Sequence, residues 1–264
     1  MKKVIPKIVK RNLDTEHIMH ASCKYGYHYA GEKNSYKLFS MLLGADFHGD
    51  EKRLKNSVEF LNYYECLDCA LNLGDTFAEN FSESDGKWYS EIISEAKKPY
   101  LAVIGNHDMG NSDLISISAT KKDAYERFIK PCEKSLGFCT EGRAYYIKYF
   151  EKYKVALIVL NNYDFSDETE DGEHYKIHRA TKVFSKEQIT WLINVLSEIP
   201  TDHPLIVAFH ALPFPATPID TPFTQNELTE TASGNTAYKD DDLICEIINA
   251  WTSGGKISPS SSPK

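Results

Sequence analysis

Three apolar runs, spaced about thirty residues apart, each end in a cluster of polar residues, and this arrangement restricts the fold more than any other feature of the chain. Residues 38–45 lead into Asp46-Phe47-His48, residues 66–73 into Gly74-Asp75, and residues 99–104 into Gly105-Asn106-His107-Asp108. Short apolar runs bounded by Gly or Pro read as buried strands. The polar clusters then fall on loops at strand C-terminal ends, where open α/β sheets hold their ligands. Spacings of 29 residues from Asp46 to Asp75 and 31 from Asp75 to Asn106 leave room for one helix and two short loops, as a parallel βαβ crossover requires.

Taken alone, a Gly-Asn-His-Asp tetrad is ordinary turn material. At a sheet edge it carries more weight, because Asn, His and Asp bring polar atoms that need partners once desolvated. Three parallel strands deliver Asp46 and His48, then Asp75, then Asn106 and His107 to one edge. Carboxylates, imidazoles and an amide oxygen converging there make a cation site. Mixed nitrogen and oxygen donors suit Mn, Fe or Zn better than Ca.

The segments between these runs carry helical periodicity. Leu54, Val58 and Leu61 share one face, and Trp88, Ile92 and Ala96 share another, before Pro99 opens the next strand. Residues 143–150 and 155–160 read as an antiparallel hairpin turned at 151–154, so the chain holds a mixed sheet or a second sheet stacked on the first. Asn161-Asn162-Tyr163-Asp164 closes the hairpin; Asp164 either approaches the site or serves the turn, and the turn is the simpler reading. Ser185-Lys186-Glu187-Gln188 is a capping box ahead of a helical face formed by Ile189, Leu192, Ile193 and Leu196. Residues 205–209 form a further buried strand with His210 at its end. Leu243, Ile244, Ile247, Ile248 and Trp251 mark one more helix.

Length and composition set the outer bounds. With 264 residues, 42% hydrophobic and 26% charged, the chain can build one sizeable α/β domain. Its formal charge of −8 and the lack of a long basic run argue against nonspecific binding to nucleic acid or an anionic membrane. No stretch has the length of a transmembrane span, and the N-terminus lacks the apolar segment of a signal peptide. Six scattered cysteines fit a reducing, cytoplasmic setting. Cys66 and Cys69 have the spacing of a zinc or redox pair, but no second pair accompanies them, and structural cysteines are the simpler reading. Residues 1–35 form an N-terminal arm, 36–251 the main domain and 252–264 a low-complexity tail. His17, His20 and His28 in the arm read as surface or capping residues. Residues 165–184, with His174 and His178, read as a solvated loop or substrate lid.

Together the motifs resemble the calcineurin-like metallophosphoesterases, whose ordered signature is Asp-x-His, Gly-Asp, Gly-Asn-His-Asp/Glu, a lone His after a later strand, and Gly-His-x-His. Asp46-Phe47-His48, Gly74-Asp75, Gly105-Asn106-His107-Asp108 and His210 match the first four. The resemblance implies a two-sheet β-sandwich of mixed strands flanked by helices, an α/β/β/α arrangement. It also implies metal-dependent hydrolysis of a phosphate mono- or diester through a dinuclear metal centre and a bridging hydroxide. Asp46, His48 and the shared Asp75 would hold one divalent ion; Asp75, Asn106 and His210 would hold the other. By the same resemblance His107 is catalytic rather than a ligand, facing the phosphate and protonating the leaving alkoxide, with Asp108 orienting its imidazole. Phe47 is expected to form a wall of the cleft.

Two departures from the family pattern bear on function. The Gly-Asp motif does not continue into a further Asp-Arg, which disfavours a phosphoprotein phosphatase. No Gly-His-x-His occurs, and no histidine follows His210, so each ion would lack one expected ligand. A chain truncated before the last strands of the second sheet is the expectation. The alternative is a truncated or degenerate noncatalytic module that binds phosphate or a partner on the same scaffold. The substrate is expected to be a phosphate-ester small molecule or polymer, its class open. A dinucleotide-binding enzyme is disfavoured, since no Gly-x-Gly-x-x-Gly follows a strand.

Overall fold

The computed structural model describes residues 39–77, 83–109, 120–164, 184–200, 202–211 and 241–254. The histidines of the arm, His174 and His178, and the last ten residues lie outside them.

Strands β1 (Met41–Gly44), β2 (Cys69–Asn72) and β3 (Tyr100–Ala102) pair in that order as a parallel sheet, with Met41 opposite Cys69 and Leu71 opposite Leu101. The central strand β2 is buried along its whole length, as expected of a parallel sheet covered on both faces. Helix α1 (Glu51–Tyr63) joins β1 to β2. Asp50 caps it by accepting a hydrogen bond from the Arg53 N–H at 3.0 Å, and Leu54, Val58 and Leu61 are buried, as their spacing predicts.

Helix α2 (Glu83–Ser94) joins β2 to β3; the expected residues Trp88, Ile92 and Ala96 pack against the core, and the buried face extends further than the sequence suggests. Tyr89, Ile92 and Ile93 are buried, Trp88 is half-buried, and Ala96 lies past the helix end. Tyr89 fits the core because its ring packs against Phe77 and Phe128 while its hydroxyl meets the Cys132 sulfur at 3.9 Å. Two short helices, α3 (Lys121–Ala124) and α4 (Glu133–Leu136), flank a π-helical turn at Tyr125–Ile129.

A second sheet follows, in the order β4 (Tyr146–Phe150), β5 (Val155–Val159), β6 (Leu205–Ala208). The β4–β5 pair is the expected antiparallel hairpin; β6 runs parallel to β5 after helix α5 (Lys186–Glu198). Side chains alternate along β5. Leu157 and Val159 join the core shared with the first sheet, while Ala156, Ile158 and Leu160 face a second core built from α5 and helix α6 (Asp241–Thr252). The layers are therefore helices, sheet, sheet, helices, the α/β/β/α arrangement expected from the sequence. Tyr146 links the two sheets: its hydroxyl accepts from the Ala102 N–H at 3.2 Å and donates to the Ala102 carbonyl at 2.8 Å, closing the edge of β3.

The capping box at Ser185 forms only in part. Ser185 Oγ accepts from the Gln188 N–H at 3.0 Å, but the Gln188 side chain turns inward to the backbone of Asn161. Asp164 takes the structural role, pairing with Lys121 at 2.8 Å and accepting from the Ser185 hydroxyl. Among the described residues no helix is long and apolar enough to cross a membrane.

Candidate metal centre

The loops after β1 and β2 are stitched together beyond the ends of their strands. Asp46, His48 and Gly49 donate backbone hydrogen bonds to Gly74, Asp75 and Thr76 at 3.0, 3.1 and 2.9 Å. This forces a conformation that L-residues seldom adopt: Asp46, His48 and Asp75 have φ of 55°, 47° and 54°. Left-handed backbone at non-glycine residues costs energy and concentrates at functional sites. Among the described residues only Glu141 and Lys154, both in tight turns, share it.

Asp75 is the hub. Its side chain is 5% exposed, its Oδ1 accepts from the His107 N–H at 2.9 Å, and its Oδ2 lies 3.4 Å from His210 Nε2 and 3.8 Å from His107 Nε2. Burial alone would raise its pKa, but the hydrogen bonds and charges of His210 and His107 prevail and hold it below the usual carboxylate range. Gly105 permits the approach of the third loop. A Cβ there would lie 2.1 Å from Asp75 Oδ1 and 2.3 Å from the Asp75 nitrogen.

His210 shows what the site is built to receive. Its Nδ1 lies 2.8 Å from the Leu73 carbonyl, which can only accept, so the proton sits on Nδ1. The other ring nitrogen, Nε2, then points at Asn106 Oδ1, 3.1 Å away, and at Asp75 Oδ2. With its proton on Nδ1, a neutral His210 brings the Nε2 lone pair to two oxygen acceptors, a donor set suited to a cation. Burial lowers the His210 pKa, yet the Asp75 carboxylate prevails and raises it above the ordinary histidine value. A backbone carbonyl bonded to one nitrogen, with the other free, is the usual preparation of a metal-binding histidine.

On the open side, ligand atoms of His48, Asp75 and His107 lie within 4.8 Å of one another. The His48 and His107 rings meet edge-on at 4.6 Å, and Asp46 Oδ1 lies 3.4 Å from His48 Nε2 with both side chains largely exposed. His107 is held by burial below the ordinary histidine pKa, and its Nδ1 is buried with no hydrogen-bond partner among the described residues. All of Asp46, His48, Asp75, Asn106, His107 and His210 thus border one site, and its carboxylate, imidazole and amide donors fit divalent metal.

Asp108 does not contact the His107 imidazole. Fully buried, it accepts four backbone N–H bonds, from Asp75, Thr76, Phe77 and Gly105, at 2.8 to 3.2 Å. Burial pushes its carboxyl up to about 7, while these donors favour the ionised form. Its function here is to tie the Gly74-Asp75 loop to the Gly105-Asn106 loop. Phe47 likewise turns inward: it is buried in the core against Gly44 rather than lining the cleft.

Three supporting residues escaped the sequence reading. Asn72 accepts from the Gly74 N–H at 3.1 Å and donates to Thr76 Oγ1 at 2.7 Å, shaping the turn that presents Asp75. Asn162 holds Ala211, next to His210. Asn72 left a visible trace, as a polar residue within an apolar run; Thr76 and Asn162 left none.

A calcineurin-like phosphoesterase family profile matches residues 41–248, most of the chain. The chain belongs to that family. Membership points to a phosphoester hydrolase that uses divalent metal, and the four matching motifs supply the residues that surround Asp75. No curated protein matches the sequence. Among solved structures, TT1561 of Thermus thermophilus is similar at 16% identity over 74% of this chain and 77% of that one, with a TM-score of 0.44. In the present chain the candidate site lies at the C-terminal ends of β1, β2, β3 and β6, where the topology of open sheets places ligands.

Proposed function

We propose that the chain hydrolyses a phosphate mono- or diester at a dinuclear metal centre shared through Asp75. The observation that carries the reading is the convergence on Asp75 of His210 and Asn106 from one side and of His48 and His107 from the other. Asp46, His48 and Asp75 would hold one divalent ion, and Asp75, Asn106 and His210 the second; nitrogen and oxygen donors favour Mn, Fe or Zn. Divalent metal supplies Lewis-acid activation of water and neutralises charge on the phosphoryl oxygens.

His107 has a separate role. Its Nδ1 is buried without a hydrogen-bond partner among the described residues, which favours the tautomer with the proton on Nε2, since an unpaired buried acceptor costs less than an unpaired donor. Nε2–H then points toward the open side, where it donates to a phosphoryl oxygen and stabilises the transition state. The substrate is a phosphate-ester small molecule or polymer. Thiols at Cys69, Cys132 and Cys139 support action in the reducing cytoplasm.

The test is hydrolysis of an aryl phosphate monoester and diester with added Mn²⁺. Wild-type chain turns over at least one of them, Asp75→Asn does not, and His107→Ala loses turnover while keeping most of its bound metal. Equal turnover in wild type and Asp75→Asn would overturn the reading. Metal binding with no turnover of either ester would favour the noncatalytic phosphate-binding module.

A further inference from the structure

We infer that Asn162 is a positioning residue for the metal centre: its side-chain amide fixes the backbone after β6 and thereby aims His210 at Asp75. The inference rests on the reading of His210 as a metal ligand. Strand pairing between β5 and β6 ends with the Leu160 N–H bonded to the Ala208 carbonyl at 2.9 Å. His210 lies two residues further on, where the ladder no longer holds the chain.

Asn162 replaces the missing ladder step. Its Oδ1 accepts from the Ala211 N–H and its Nδ2 donates to the Ala211 carbonyl, both at 3.1 Å. An amide is the group for this task, because it presents a donor and an acceptor in the same plane as a peptide does. Asn162 is itself fully buried and Ala211 half-buried, which limits competition from water for both bonds.

The same device holds the loop that carries Asn162. Gln188 of α5 accepts from the Asn161 N–H at 2.8 Å and donates to the Asn161 carbonyl at 3.0 Å. Two side-chain amides in series therefore connect α5 to Asn161, and Asn162 to Ala211. From Ala211 the chain steps back to His210, whose ring bridges Leu73 and the Asn106–Asp75 pair.

The test compares Asn162→Asp and Asn162→Ala with wild type. Asn162→Asp is nearly isosteric, keeps the acceptor for Ala211 and places an oxygen against the Ala211 carbonyl; Asn162→Ala removes both bonds. Thermal melting identifies folded protein, and Asn162→Asp carries the test if Asn162→Ala does not fold. Two readouts follow: Mn²⁺ affinity, and the ring-nitrogen NMR signal of His210 in metal-free protein, assigned by its loss in His210→Gln. Affinity is expected to fall roughly 10- to 100-fold, the usual cost of removing support behind a metal ligand, and the His210 signal to move or broaden while that of His203 stays. A folded variant with wild-type affinity or an unmoved His210 signal would overturn the inference. If wild type itself binds no Mn²⁺, the metal reading fails, and the His210 signal alone decides whether Asn162 positions the ring.

Discussion

At the scale of single residues, the site depends on contacts that tolerate no added atom. Gly105 sits so close to Asp75 that a methyl group there would overlap its carboxylate and its backbone nitrogen. Gly105→Ala is therefore expected to displace Asp75 and lower Mn²⁺ affinity by at least about tenfold; titration calorimetry giving wild-type affinity would contradict this. Asp108 presents the converse case, one carboxylate satisfying four buried donors. Asp108→Ala strands all of them, and since each unsatisfied buried group costs about 1–3 kcal/mol, urea unfolding should show a loss of at least about 3 kcal/mol. A loss under about 1 kcal/mol would mean that other acceptors take over. The motif was legible in the sequence but this role was not, because an acidic residue beside a histidine reads as its partner, whereas three of the four donors lie on a loop 31 to 33 residues away.

At the scale of elements, hydrophobic periodicity revealed the strands and helices because their buried faces repeat at the right interval. Leu54, Val58 and Leu61 on α1, and the hairpin of β4 and β5, follow their spacing directly. Periodicity failed where a polar atom was absorbed by a distant partner. Tyr89 counts as amphipathic in sequence yet lies in the core, and Gln188 and Asn162 look like surface residues until the backbone they hold, 27 and 49 residues away, is brought alongside. Tyr146 belongs to this group. Its hydroxyl completes both backbone groups of Ala102 on the edge of β3, so Tyr146→Phe should cost about 1–3 kcal/mol of stability while leaving the apolar contacts in place. Unchanged thermal stability would show that water replaces the hydroxyl.

At the scale of the molecule, two sheets packed face to face bring four loops from separate parts of the chain to one edge, and burial between them keeps water from competing for Asp75. The order of the motifs along the chain predicted this edge; the register between the sheets, which brings His210 over Leu73, required the three-dimensional packing. The central claim is that the cluster around Asp75 holds divalent metal. Calorimetric titration of the wild-type chain and of Asp75→Asn with Mn²⁺ tests it most directly. A metal centre shared through Asp75 predicts saturable binding of two ions by wild type and loss of most of it in Asp75→Asn. The same Mn²⁺ uptake by both chains, or none by wild type, would contradict it.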